Sequence, residues 1–151
     1  MSREGRMEKV LWSIALPGFG QLLNGKFLKG LLLIGLELLI NIQSNFNKVI
    51  MCSFQGDIQA AIDHVNYNWL MFYPCLYMFS IWDAYRDAGG GTSPYSFLPF
   101  TFSAYFVTIG LIYSSSLEVC GVLFGPVFLP MLFLIPGIGI GFLIKMVLRK
   151  M

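Results

Sequence analysis

The chain has 151 residues, of which 56% are hydrophobic and 12% charged, with a formal net charge of +2. A water-exposed globular domain carries roughly twice that charged fraction, so this composition, with a mean hydropathy of +0.70, excludes an ordinary aqueous domain. So small a charge gives no support to nucleic-acid binding, beyond drawing a basic face toward anionic lipid.

The N-terminal segment opens with Arg3, Arg6 and Lys9, then turns apolar over residues 10–23 before Lys26 and Lys29. Pro17-Gly18-Phe19-Gly20 interrupts it. Proline removes a backbone donor and glycine permits a sharp turn, so a straight span is not expected here. If the segment crossed a membrane, Lys26 and Lys29 would lie opposite Arg3, Arg6 and Lys9, against the bias of basic residues toward the cytoplasm. The expectation is a re-entrant or interfacial hairpin over residues 10–25 that does not cross; a fifth span is the alternative. No small-x-small cleavage site follows, so the segment does not read as a cleaved signal peptide.

Four long apolar segments come next, at residues 27–46, 68–84, 97–114 and 119–144. Each is about as long as the ~20 helical residues needed to cross a hydrocarbon core. The predicted fold is an all-α membrane protein: four transmembrane helices plus the N-terminal hairpin, in one domain over residues 1–151. With the N-terminus inside, Arg86, Lys145, Arg149 and Lys150 return to the same side, and of 10 Lys and Arg only Lys48 falls outside. Both termini are therefore expected in the cytoplasm.

Ionisable groups in a bilayer are costly and mark function or packing. Glu37 lies deep in the first span, and Asn41, Ser44 and Lys48 follow at steps of four, three and four, so one continuous helix would align all four on one face. That stripe is either polar glue between helices or the lining of an ion or proton path, with Lys48 reaching the outer interface. In the second span Tyr73, Tyr77 and Ser80 share a face. The outer connection around residues 57–63 has the spacing of one short helix, and Arg86 to Pro94 forms a flexible inner loop. Gly121/Gly125 and Gly137/Gly141 permit close helix approach, and Pro126, Pro130 and Pro136 are expected to kink the last span. Gly137-Ile138-Gly139-Ile140-Gly141 lacks the strand and Lys-Ser/Thr of a phosphate loop.

Chemistry-bearing residues are sparse. Cys52, Cys75 and Cys120 form no C-x-x-C pair; unpaired thiols are expected, with a Cys52–Cys120 disulfide at the outer interface as the alternative. The single histidine, His64, reads as a solvated loop residue. No catalytic group, metal site or cofactor is expected.

Pro17-Gly18-Phe19-Gly20-Gln21, Asn24-Gly25 and Lys29-Gly30, closed by Trp82-Asp83-Ala84-Tyr85-Arg86, resemble the signature of small bacterial two-helix transmembrane domain proteins, which have relatives in animals. The resemblance covers about residues 11–87. The chain departs from it at Leu22-Leu23, where the family often has Phe-Tyr, and in its longer outer loop. It implies an apolar signature-bearing segment leading to a helix whose inner end carries the aspartate. Independently, Asp83 near a helix C-terminus opposes the helix dipole and needs a cation; Lys26, Lys29 and Arg86 are candidates. Asp83 with Arg86 is thus predicted to clamp the hairpin to the second span.

The functional expectation is a non-enzymatic accessory or scaffold subunit of a membrane protein complex, its partners being the bilayer and another membrane protein or itself. An oligomeric transporter or channel protomer using Glu37 is the alternative. A lipid-acting enzyme with Asp57, Asp63 and His64 at the outer surface is the third. Abundant Ile, Leu, Lys, Phe and Asn point to a low-GC bacterium, and the expected location is its inner membrane.

Overall fold

The computed structural model describes residues 3–151, which are mostly helical. Residues 1 and 2, and the side chain of Arg3 counted above among the inner cations, lie outside the described set.

Helix α1, Arg3–Ala15, stops before Pro17, because proline disfavours helical backbone at the residue ahead of it. Gly18 then adopts φ 105, and α2 occupies Phe19–Leu23. Gly25 at φ 72 turns the chain again, with the Lys26 N–H donating to the Gln21 carbonyl at 2.9 Å. The expected hairpin is thus a helix–turn–helix, with α1 packed on α2 and on α7 (Tyr73–Asp87).

Helix α3, Phe27–Ser44, is apolar and ends at Asn45, whose φ of 57 is left-handed. The connection predicted to hold one short helix holds two: α4, Phe46–Phe54, and α5, Ile58–His64. Asp57 caps α5 by accepting from the Ala60 N–H at 3.0 Å. Val49 and Ala61, both fully buried, pack with Val127 of the last helix. Two amphipathic turns share a core with that helix, so the connection need not be stable alone.

The second expected span comes in two pieces, α6 (Tyr67–Leu70) and α7, which follows a turn at Met71 and Phe72 and runs on to Asp87. Pro74 sits in the first turn of α7, where its missing N–H is harmless. Helix α8, Leu98–Ile112, places Pro99 in the same position. The last expected span begins at Gly125, not Val119. Residues before it form a small hairpin of β1 (Glu118–Val119) and β2 (Val122–Leu123), turned by Cys120 and Gly121, both at positive φ. Helix α9, Gly125–Leu148, has Pro126 in its first turn, so that residue starts the helix instead of kinking it. Pro130 and Pro136 lie inside the helix.

Among the described residues, two helices are long and apolar enough to cross a membrane, α3 and α9, at 18 and 24 residues. Only 28% of each apolar window is buried within the protein, whereas the core helix of an aqueous domain would be mostly buried. Helix α8 is apolar but shorter, at 15 residues. Its contact with α9 is the most extensive between helices, at a seam of small residues. A Cβ on Gly141 would lie 2.5 Å from the Pro99 Cα, and one on Gly137 2.8 Å from the Ser103 Cα. The helix backbones touch there.

Candidate functional site

Helix α7 is the hub of one end of the molecule, packing on α1, α2, α3 and α8. Asp83, in its penultimate turn, is 1% exposed. A carboxylate taken out of water requires compensating charge and donors. Lys29 supplies them from the first turn of α3, its Nζ lying 2.9 Å from Oδ1 and 3.2 Å from Oδ2. Arg86 Nη2 approaches Oδ1 at 2.9 Å from the next turn of α7, and Gln21 Nε2 donates to Oδ2 at 3.3 Å. Lys29 also meets Asp87 at 3.0 Å. Of the three candidate cations, Lys26 precedes α3 and faces outward; Lys29 and Arg86 meet the aspartate.

The rest of the signature docks the turn on the same helix. The Gly18 N–H donates to Ser80 Oγ at 3.2 Å, Gln21 Nε2 to the Ser80 carbonyl at 2.8 Å, and Asn24 Nδ2 to the Ala84 carbonyl at 2.9 Å. Pro17 is fully buried. Gly20 lies so close to α1 and α7 that a Cβ would be 2.0 Å from Ser13 Oγ and 2.8 Å from the Ala84 Cβ. Gly30 faces Leu22 and the Gly18 carbonyl just as tightly. Thus Pro17, Gly18, Gly20, Gln21, Asn24, Lys29 and Gly30 converge with Asp83 and Arg86 in one knot, while Gly25 is exposed and only turns the chain between α2 and α3. The Tyr77 hydroxyl adds a hydrogen bond to the Ile14 carbonyl of α1.

The polar stripe is only partly assembled. Glu37 is buried, with the Tyr73 hydroxyl as its hydrogen-bonding neighbour and Oε2 unpartnered among the described residues. Ser44 is buried too, but its hydroxyl returns to the Ile40 carbonyl at 2.6 Å. Asn41 is half-exposed and donates to Asn47 Oδ1 at 3.2 Å. Lys48 does not belong to the stripe: the left-handed residue Asn45 ends α3 and redirects the chain, leaving Lys48 exposed on α4. The 3.6-residue period cannot be carried across such a break.

The outer polar residues make local structural contacts. Asp57 is an N-cap, Asp63 accepts from Gln59 Nε2 at 2.9 Å, and the His64 carbonyl accepts from Asn45 Nδ2 at 3.1 Å. All three cysteines are free thiols, Cys75 and Cys120 exposed and Cys52 half-buried.

Three participants escaped the sequence reading. Ser80 as acceptor for the Gly18 N–H, Asp87 as the second carboxylate on Lys29, and Tyr73 beside Glu37 all depend on how α7 is rotated. Asp87 carried a signal, being one turn beyond Asp83; Ser80 and Tyr73 carried only their shared face.

No family model, curated protein or solved structure matches the chain.

Proposed function

We propose that the chain is a four-span membrane protein of the bacterial inner membrane, with both termini cytoplasmic, acting as a non-enzymatic accessory or scaffold subunit of a membrane protein complex. The four spans are α3, α6 with α7, α8 and α9. α7 and α8, at 15 residues each, are lengthened by α6 and by the turns at their ends. The N-terminal hairpin stays on the inner side, where the positions of Arg6, Lys9, Lys26 and Lys29 favour it.

The observation that carries this reading is the knot at Asp83. Its charged and amide groups join the hairpin and α3 to α7, leaving an outer surface of large apolar side chains such as Leu28, Leu31 and Ile135. Such a surface suits lipid or another membrane protein. The test is cross-linking of the tagged protein in its native membrane, then gentle solubilisation and mass spectrometry. A stoichiometric, different protein is expected; recovery of the chain only with itself would overturn the accessory role.

A conduit is the second reading because Glu37 Oε2 is buried without a partner among the described residues. Against it, Glu37 lines none of the cavities between the helices described below.

A further inference from the structure

Two cavities lie end to end along α7 and α8, each partly open to the surroundings. The first, of 390 Å³, is walled by α4 and α9 and reaches Phe54 and Pro126. The second, of 490 Å³, is walled by α1 and α9 and reaches Ser96 and Lys145. Tyr77, Met78 and Leu134 line both, so the cavities adjoin across them. A third cavity, of 310 Å³, continues past Val10, Tyr85 and Phe100 to Arg6. The groove is apolar along its length and acquires two cations at the end where α7 and α9 finish and α1 begins.

Neither cation has an ion-pair partner among the described residues, and Arg6 Nε is buried without a hydrogen-bond acceptor. Along α9, Leu134 to Lys145 spans ~16 Å at 1.5 Å per residue, about half of a ~30 Å hydrocarbon core. That is the depth of one leaflet. A partner helix ~10 Å across and ~25 Å long would occupy roughly 2,000 Å³, several times the volume of either cavity. The dimensions suit a hydrocarbon chain, and the cations suit a phosphate.

We propose that this groove is a binding site for an anionic phospholipid of the inner leaflet, with one acyl chain between α1 and α9 and its phosphate held by Arg6 and Lys145. The site rests on the membrane-embedded reading above but not on the identity of any protein partner. Bound there, the lipid fills the gap between the N-terminal hairpin and α9, making the docking of the hairpin sensitive to membrane charge.

The test is native mass spectrometry of the full chain in detergent, with phosphatidylglycerol or phosphatidylcholine of identical acyl chains. Two cations at the headgroup, at about 1 kcal/mol each, favour the anionic lipid by about thirtyfold. Arg6→Gln with Lys145→Gln should bring the two lipids to near parity. Lys150→Gln, an equal loss of charge per residue outside the groove, should retain the preference. A thermal melt in detergent establishes that each variant is folded. Equal retention of both lipids by the native chain, or an unaltered preference in the double variant, would overturn the site. So would a photo-cross-linker at Met78 that captures a protein helix in place of lipid. Extraction from membranes by alkaline carbonate would instead indict the membrane-embedded reading, separating the two failures.

Discussion

Lys29 Nζ lies 2.9 Å from Asp83 Oδ1, joining the first turn of α3 to the penultimate turn of α7 across 54 residues of sequence. The lysine side chain is 45% exposed and the aspartate side chain 2% exposed, so the two ends of the pair are unequal. Losing the lysine leaves a buried carboxylate with Arg86; losing the aspartate leaves a lysine that can turn to water or to Asp87.

Asp83→Ala is expected to release the hairpin. Removing one member of a buried ionic network costs about 3–5 kcal/mol, and Gln21 and Arg86 would lose a partner as well. Limited proteolysis within residues 16–26 should become rapid while the α8–α9 pair stays protected. Lys29→Met should be milder, about 1–2 kcal/mol, because its head is half in water and Arg86 remains. Equal destabilisation by the two would argue against the carboxylate as the centre of the knot.

Glycines of the same sequence type should respond oppositely to alanine. At Gly20 a Cβ would sit 2.0 Å from Ser13 Oγ and 2.4 Å from the Lys9 carbonyl, so Gly20→Ala should destabilise by about 1–3 kcal/mol. At Gly35, inside α3, nothing lies within 4 Å, and alanine there should be neutral or stabilising by up to about 1 kcal/mol. Melting of both variants in one detergent compares them directly.

The α8–α9 seam should fail through Gly141. Gly141→Val would drive side-chain atoms into Pro99, where even a Cβ lies at 2.5 Å. Disulfide trapping between cysteines placed at Phe102 and Ile140 would report the separation of the helices. Efficient trapping retained in the valine variant would mean that the backbones do not meet as described.

Cysteine labelling tests the four-span arrangement. Cys120 lies on the β1–β2 turn and Cys75 is exposed on the side of α7. A membrane-impermeant maleimide applied from outside the inner membrane should modify Cys120, and Cys75 should react only with a permeant reagent. Labelling of Cys120 only after the membrane is opened would reverse the orientation.

Glu37→Gln separates glue from conduit. The amide can keep a hydrogen bond to Tyr73, so helix association should survive with a stability change within about 1 kcal/mol. A selective loss of proton- or ion-dependent flux with the fold intact would favour the conduit.

Features that depend on neighbouring residues are legible along the chain. Pro17-Gly18 had to break the N-terminal segment, an apolar helix had to start near Phe27, and the Gly-rich stretch after Asp87 had to form a loop; the span expected over residues 27–46 ends two residues early, at Ser44. Proline geometry, glycine freedom and hydropathy act within a few residues. A continuous helical stripe from Glu37 to Lys48 was also a local inference, and it failed at a single left-handed residue, Asn45, that propensity does not single out. Tertiary structure alone decided that Lys29 and not Lys26 meets Asp83, that Ser80 receives the Gly18 N–H, that Tyr73 faces Glu37, and that the outer connection shares a core with α9. These contacts depend on the rotation and depth of α7 among its neighbours. Many side chains packing together set that rotation, and no short stretch of sequence encodes it.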